Sequence, residues 1–298
     1  MITFYELGKY GRLGNQLFQY AALKSIGLKN KYEVKIPNFS DSVWHGQECL
    51  LKNFSLESEV LLEEDLKTLT QTYSEENADI FDPDFFNIPD NTNLQGFFQS
   101  IHYFSEFEDQ IKKELTPKKE FIDRAKAFLE PHRENGKYEL VSIHIRRGDM
   151  VTHMHELSPN LVFSEKDIFD NNTIFGNYLR KAVRVFENKK VKYVVFAGGR
   201  RDGDDTEDIN FVKNCFSGDE YIISESNDAM FDFTSIMHCD HNITCHQSTF
   251  GWWAAHLNPN KEKIVTSPRN YYFIFDQERN RKRTSPENGH FPPEWTII

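Results

Sequence analysis

The second half of the chain alternates short apolar runs with amphipathic stretches, and this rhythm restricts the fold more than any other feature. It predicts strands at 138–145, 191–197, 220–224, 241–245 and 263–266. It predicts helices between them, near Ile174–Phe186, Thr206–Cys215, Ala229–His238 and Phe250–His256. Such alternation is typical of a parallel, doubly wound sheet, in which ligands bind beyond the carboxyl ends of the strands.

The first half begins with a strand, a glycine-rich turn and a helix within residues 2–28, followed by a second strand at 33–36. The glycines do not follow the GxGxxG spacing, and no acidic residue follows Ile36, so the pattern argues against a dinucleotide enzyme. The polar stretch Glu134–Lys137 precedes a strong strand. We therefore predict an N-terminal domain over 1–135 and a C-terminal domain over 136–298.

The bulk composition excludes several classes of protein. A formal net charge of −11 argues against binding nucleic acid or anionic membrane by overall electrostatics. The N-terminal residues lack the basic and apolar regions of a signal peptide, and no apolar run is long enough to span a bilayer. The four cysteines form no CxxC pair. These features predict a cytoplasmic protein with reduced thiols.

The segment His144–Asp149 follows the first strand of the C-terminal domain. Two adjacent guanidinium groups, Arg146 and Arg147, suit a diphosphate because each binds phosphate oxygens bidentately. Gly148 permits a sharp turn, and Asp149 is placed to orient an arginine or a histidine. The alternative is a salt-bridged strand end in which Asp149 holds Arg147.

A second candidate segment is the loop that leads into the helix near 250–256. Ser248 or Thr249 is predicted to cap this helix, and its free backbone N–H groups are suited to phosphate oxygens. Trp252 and Trp253 are interpreted as core residues. In the first domain, Arg12 and Asn15 carry side chains that can hydrogen-bond a ligand in a cleft.

The acidic loop at 202–205 resembles the DxD metal loop of some sugar-nucleotide enzymes; its acids are Asp202, Asp204 and Asp205. The favoured interpretation is a solvated turn with acids at a helix N-terminus, where the helix dipole stabilises negative charge. A zinc site is disfavoured because the candidate ligands span a helix end and a strand and would point in different directions. Those candidates are His238, Cys239, His241, Cys245 and His246.

Together these segments resemble glycosyltransferase family 11, whose characterised members are mostly α-1,2-fucosyltransferases. The matching motifs are Gly11–Ala21 (G-x-LGNQ-x-FQYA), Gly96–Ser100 (G-[YF]-FQS), His144–Asp149 (HxRRGD), Asp232–Cys239 and Ser248–Leu257. Three departures stand out within this pattern. Gln247 and Gly251 replace a common Asn and Ser, Phe196-Ala197-Gly198-Gly199 stands where Phe-Ser-Asp-Asp is common, and Met150 replaces a Tyr.

The resemblance implies an α/β fold of the GT-B type, with two Rossmann-like domains facing a cleft. The N-terminal domain would lie on the acceptor side, and GDP-fucose would be held mainly by the C-terminal domain. It implies an inverting transfer with no metal and no cofactor, GDP-fucose being the donor substrate. Arg146 would grip the β-phosphate and His144 would lie beside the nucleotide; with Asp149 they are the predicted catalytic residues. The predicted substrate-binding residues are Arg12, Asn15, Arg147, Asp232, Ser248 and Thr249.

We therefore predict a galactoside α-1,2-fucosyltransferase whose partners are GDP-fucose and a galactose-terminated glycan. Asp149, His153, His155 and Glu156 are candidate general bases. One alternative is a metal-dependent sugar-nucleotide transferase or hydrolase that uses Asp202 and Asp204. Another is a non-catalytic glycan- or nucleotide-binding protein in which the arginines hold an anion.

Overall fold

The computed structural model describes residues 1–41, 43–44, 47–148, 150, 162–164, 166–200, 203–272 and 277–298. The chain divides into two compact units, Met1–Lys118 with Gln277–Pro293, and Lys119–Asp276 with Glu294–Ile298. Some predicted site residues lie outside the described residues: Asp149, His153, His155, Glu156 and Asp202. Within the described ranges, no helix combines the length and hydrophobicity needed to cross a bilayer.

The first unit contains a five-stranded parallel sheet in the order β5-β2-β1-β7-β6. Its strands, with the short antiparallel pair β3 and β4, are β1 (Ile2–Thr3), β2 (Val34–Ile36), β3 (Val43–Trp44), β4 (Gln47–Glu48), β5 (Glu59–Val60), β6 (Gln71–Ser74) and β7 (Thr92–Gln95). The helices of this unit in chain order are α1 (Leu13–Asn30), α2 (Glu63–Leu66) and α3 (Glu108–Glu114). Short 3-10 turns connect them at Phe39–Asp41, Leu50–Asn53, Pro83–Asn87, Ile101–Tyr103 and Ser105–Phe107.

Helix α1 is the core element of the first unit. Nearly all of its residues from Leu13 to Gly27 are buried, so the helix is buried on most of its circumference rather than along one stripe. It ends where Lys31 adopts a left-handed conformation at φ 58° and caps the last turn. The exception is Asn15 in the first turn, which is half-buried. Its side chain accepts a hydrogen bond from Gln99, a residue of the loop that follows β7.

The second unit contains a six-stranded parallel sheet. Its strands are β8 (Glu139–Arg146), β9 (Val191–Gly198), β10 (Tyr221–Ile223), β11 (His241–Ile243), β12 (Val265–Ser267) and β13 (Thr296–Ile297). Its helices are α4 (Lys119–Leu129), α5 (Ile174–Arg184), α6 (Thr206–Cys215), α7 (Ala229–His238) and α8 (Thr249–His256), with a 3-10 turn at Glu130–Arg133. Every strand and helix predicted for 138–266 is present, whereas β13 was not predicted.

The order β10-β9-β8-β11-β12-β13 is the Rossmann arrangement, in which the chain winds outward from a central strand to one edge and then to the other. Along β8, Val141, Ile143 and Ile145 enter the core with residues of α5 and α6. The alternate positions point to the opposite face, because successive side chains of a strand point to opposite sides of the sheet. His144 and Arg146 therefore share a face.

The observed division differs from the predicted boundary at 135/136. Helix α4 belongs to the second unit because it packs on α7, where the rings of Phe128 and Phe231 lie 5.3 Å apart. Near the C-terminus, Gln277–Pro293 returns to the first unit and forms α9 (Gln277–Thr284) and a 3-10 turn at Pro286–Asn288. An ion pair of 2.7 Å between Arg279 and Asp79 anchors this segment. Sequence periodicity does not register such long-range contacts.

Candidate active site

The strand order of the second unit reverses between β8 and β11. Several predicted site residues lie at or just beyond the ends of these two strands: His144, Arg146, Arg147, Ser248 and Thr249. Ligands of open parallel sheets bind in the crevice at such a switch point. The two strand ends are in direct contact, since the Arg146 N–H donates to Cys245 Sγ at 3.3 Å. The structure thus joins the His144–Gly148 segment to the loop that starts α8.

The guanidinium group of Arg146 donates to the carbonyl oxygen of Gln247. Gln247 itself adopts a left-handed conformation with φ 49°, and its N–H donates to the Tyr271 carbonyl at 3.0 Å. Asn accepts this conformation more readily than Gln does, which accounts for the Asn that commonly stands at this position in the resembling family. Backbone strain of this kind collects at functional sites. The conformation of this loop therefore directs the Gln247 carbonyl toward the Arg146 guanidinium.

His144 is fixed by the N-terminal turn of α8. Its Nδ1 lies 3.3 Å from the Ser248 Oγ, and its ring lies 5.6 Å from that of Phe250. Ser248 is the N-cap of α8, as predicted, because its hydroxyl accepts from the Gly251 N–H at 3.2 Å. A Cβ at Gly251 would lie 2.5 Å from His144 Nδ1. Glycine is therefore needed for this close approach of helix and strand.

His144 is a neutral imidazole at physiological pH. Burial, together with the nearby Arg146, lowers its pKa to about 3. Since the Ser248 hydroxyl already accepts from Gly251, its own hydrogen is available to His144 Nδ1. This favours the tautomer with the hydrogen on Nε2, which makes that nitrogen a donor. The chemistry open to His144 is hydrogen bonding rather than proton transfer.

Arg147 turns away from Arg146 and contacts α6. Its Nη1 donates to the fully buried carboxylate of Asp208 at 2.6 Å, and its guanidinium lies 4.3 Å from the Phe211 ring centroid. The other oxygen of Asp208 accepts from Arg200 Nε at 3.1 Å. Arg147 therefore forms a salt bridge at this strand end, and its partner is Asp208. The substrate-binding role of Arg147 stays a prediction.

Close backbone packing joins the turn after β8 to the turn after β9. A Cβ on Gly148 would lie 2.3 Å from the carbonyl carbon of Gly199. Asp205 accepts from the N–H groups of Gly199 and Arg200, each at 2.9 Å. Asp204 accepts from the Thr206 N–H at 3.0 Å, at the start of α6. These contacts agree with the interpretation of this acidic loop as a turn at a helix N-terminus.

Asp232 lies in the first turn of α7, close to the carboxyl end of β10. Its Oδ1 accepts from the Ser224 hydroxyl at 2.7 Å. Burial, reinforced by the negative charges of Asp205 and Asp228, raises the pKa of Asp232 to about 8, against the effect of the Ser224 hydrogen bond. A carboxyl group at a strand end whose pKa lies near neutral pH is a candidate for binding a ligand's N–H or hydroxyl groups.

The remaining predicted residues fall into separate places. Thr249 opens α8 beside Ser248. Trp252 and Trp253 are fully buried, which confirms their interpretation as core. Arg12 and Asn15 belong to the first unit, at the N-cap and first turn of α1. The sequence analysis did not identify Asp208, because its role depends on Arg147, which lies 61 positions away along the chain.

The second unit is a Rossmann-ordered sheet with an arginine, a histidine and a capped helix start at its switch point, and the first unit has a parallel sheet of its own. This arrangement agrees with the GT-B class of sugar transferases predicted above. The sequence profile of glycosyl transferase family 11 matches residues 2–298. The chain therefore belongs to glycosyl transferase family 11 and is a glycosyltransferase, which confirms the family expected from the motifs.

Individual relatives agree with this membership. The chain is 27% identical over 301 residues to human galactoside alpha-(1,2)-fucosyltransferase 1, covering 97% of this chain and 73% of that protein. It is 29% identical over 135 residues to the O-antigen biosynthesis glycosyltransferase WbnK of Escherichia coli, covering 44% of this chain and 38% of that protein.

Among solved structures, the fucosyltransferase NodZ from Bradyrhizobium has a similar fold. Its TM-score is 0.51 at 13% identity, covering 85% of this chain and 91% of that chain. A NodZ crystal soaked with GDP-fucose gives a TM-score of 0.50 at 14% identity, covering 87% and 92% of the two chains. At this level of identity the likeness concerns the fold, and it confirms the predicted fold class.

Proposed function

We propose that this enzyme transfers L-fucose from GDP-fucose to the 2-hydroxyl of a terminal galactoside, with inversion and formation of an α-1,2 linkage. The relatives that match over most of the chain are named for this reaction. NodZ, which has a similar fold, was crystallised and soaked with GDP-fucose. The family membership and the named relatives support the α-1,2 linkage, and the NodZ crystal supports GDP-fucose as the donor.

The observation that carries the proposal is the grouping of Arg146, His144 and the start of α8 at the β8/β11 switch point. As the glycosidic bond breaks, negative charge grows on the β-phosphate of GDP. Arg146 supplies a planar fork of N–H donors for these oxygens, and His144 Nε2 supplies a neutral donor. The N-terminus of α8 adds its dipole. Preorganised donors of this kind stabilise the leaving group.

An inverting transfer also needs a base that accepts the proton of the attacking hydroxyl. His144 is unsuited to that role, because its lowered pKa of about 3 makes it a very weak base. We keep Asp149, His153, His155 and Glu156 as the candidates, and substitution of each one, followed by pH–rate profiles, would identify the base. Loss of the alkaline plateau in one variant is the expected signature.

The direct test is a panel of sugar nucleotides offered to the purified full-length enzyme with a galactoside acceptor, with the product linkage determined by NMR. Selective use of GDP-fucose and a product substituted at the galactose 2-position would support the proposal. Use of another donor, or another linkage, would refute it. Binding without turnover of any donor would favour the glycan- or nucleotide-binding alternative.

We further propose that the transfer needs no divalent cation, since Arg146 and the α8 N-terminus provide positive charge for the leaving group. The contacts of Asp204 support a metal-independent transfer. Its carboxylate accepts hydrogen bonds from the Thr206 N–H at 3.0 Å and from the Thr206 hydroxyl at 2.5 Å. Activity should therefore survive excess EDTA. Activity that is lost in EDTA, restored by Mn²⁺ and abolished by Asp204→Asn would establish the metal-dependent alternative.

A further inference from the structure

Strands β1 and β7 are adjacent and parallel in the sheet of the first unit, so the loops that follow them lie side by side at its carboxyl edge. The loops that follow these two strands carry Tyr10 and Phe97, whose rings stack with centroids 4.9 Å apart and planes 22° apart. Both rings are partly exposed. Ligands of open α/β sheets bind outside the carboxyl ends of the strands, and a half-exposed aromatic stack there offers a ligand a flat apolar surface.

A pair of side-chain amides accompanies this aromatic stack. Gln99 Nε2 donates to Asn15 Oδ1 at 2.8 Å, and both residues are half-buried. Gln99 lies two residues beyond Phe97 in the same loop, and Asn15 lies in the first turn of α1. Within the described ranges, the Gln99 amide oxygen has no hydrogen-bond donor. It is therefore available as an acceptor for a hydroxyl group.

Buried polar groups hold the two loops in place from beneath. The Gln19 amide, which is fully buried, donates to the Tyr10 carbonyl at 3.0 Å and to the Gly96 carbonyl at 3.1 Å. Glu75 accepts from the Phe97 N–H at 2.7 Å, and burial raises the pKa of this carboxyl group. These interactions fix the backbones that carry Tyr10 and Phe97, so the aromatic stack is preorganised.

The backbone of this loop is also strained. Phe98, between Phe97 and Gln99, has a left-handed conformation with φ 51° although it is not glycine. Its N–H donates to Glu75 at 3.1 Å, and its fully buried ring packs at 5.4 Å from that of Phe85. The packing of Phe98 thus forces a conformation that turns its neighbours outward. Strain that the surroundings maintain in this way is typical of ligand sites.

A ring stack beside an amide pair matches the chemistry of a pyranose. A sugar ring presents C–H groups on one face, which pack on aromatic carbons, and hydroxyl groups at its rim, which exchange hydrogen bonds with amides. We propose that Tyr10, Phe97 and the Asn15–Gln99 amide pair form the subsite for the acceptor's terminal sugar. This assignment rests on the proposed function, since it names the residues that would hold the galactoside.

The test compares Phe97→Ala with Phe86→Ala, a matched control in which another half-exposed phenylalanine of the same unit is removed. Phe97→Ala should raise the KM for a galactoside such as lactose by at least about tenfold, equivalent to about 1.4 kcal/mol of binding. Its KM for GDP-fucose should stay within about twofold of wild type. Phe86→Ala should leave both constants near their wild-type values.

Two further measurements keep the proposal open to refutation. If Phe97→Ala fails to fold, Phe97→Leu and Gln99→Leu test the ring and the amide separately, with thermal melting as the check on folding. In saturation-transfer NMR on the wild type, irradiating aromatic protein protons should transfer magnetisation to the C–H protons of lactose. Phe86→Ala should retain that transfer and the Phe97 variants should lose most of it.

The outcomes separate this inference from the proposed function. A wild-type enzyme that transfers nothing to any galactoside, and shows no saturation transfer, would refute both. A wild-type enzyme that fucosylates lactose, while the Phe97 and Gln99 variants keep the acceptor KM within about twofold, would refute the subsite alone. A parallel rise in the donor and acceptor KM values would also overturn it, because it would indicate general distortion.

Discussion

Arg146 and Arg147 are chemically identical neighbours, and the structure predicts opposite consequences for the same substitution at each. Replacing either by Lys keeps the positive charge but removes the planar guanidinium. At Arg147 the guanidinium serves the buried carboxylate of Asp208 and the ring of Phe211. At Arg146 it lies at the switch point, where the β-phosphate is proposed to bind.

The magnitude at Arg147 follows from its surroundings. Breaking a buried ion pair completely costs about 3–5 kcal/mol. Lysine keeps the charge, and Asp208 retains Arg200 as a second partner, so only part of that cost applies. The lost contact with Phe211 adds about 0.5–1 kcal/mol. We expect a total of about 2 kcal/mol, which corresponds to a fall in Tm of about 3 °C for a chain of 298 residues.

At Arg146 the expected loss is kinetic. Removing one preorganised donor from a site of developing charge costs on the order of a hundredfold in rate. Because that hydrogen bond strengthens as the leaving group gains charge, kcat should fall more than GDP affinity, which should stay within about tenfold. The Tm of Arg146→Lys should fall by less than about 2 °C, since its guanidinium donates to the neutral Gln247 carbonyl, a bond that a lysine ammonium can also make.

Thermal melting by circular dichroism, GDP titration by calorimetry and steady-state kinetics on both variants measure all three quantities. The reasoning is refuted if Arg147→Lys loses a hundredfold in kcat at unchanged Tm while Arg146→Lys turns over normally. That result would mean that Arg147, rather than Arg146, meets the leaving group and that the pair with Asp208 opens when the donor binds.

Two further predictions concern the same unit. Gly251→Ala places a methyl group against His144 and should lower the Tm. In a His144→Ala background the same change should reduce the free energy of unfolding by at least about 1 kcal/mol less, and non-additive melting data would reveal this. Asp232 has its folded pKa raised to about 8, above the usual value near 4, so its ionisation opposes folding progressively from about pH 4 to pH 8. Asp232→Asn should therefore gain stability relative to wild type as the pH rises from 5 to 8, and an equal difference at both pH values in urea titrations would contradict the assigned burial.

Local sequence patterns predicted the elements of the second unit closely. Helices α6 and α7 begin and end at the predicted residues, and Ser248 caps α8 as expected. These features depend on side chains within a few residues of one another: periodic apolar positions, capping hydroxyls and acids at helix starts. The family motifs then pointed to the ends of β8 and β11, because those motifs lie just beyond predicted strands.

The sequence by itself determined the α/β class, the family and the position of the candidate donor site. Only the tertiary structure decided that α4 joins the second unit, that the C-terminal segment returns to the first, and that Arg147 turns to Asp208 while Arg146 turns to Gln247. The physical reason is that local propensities act within one or two turns of chain. The fate of a buried charge or an exposed ring depends instead on partners that folding brings together from distant positions.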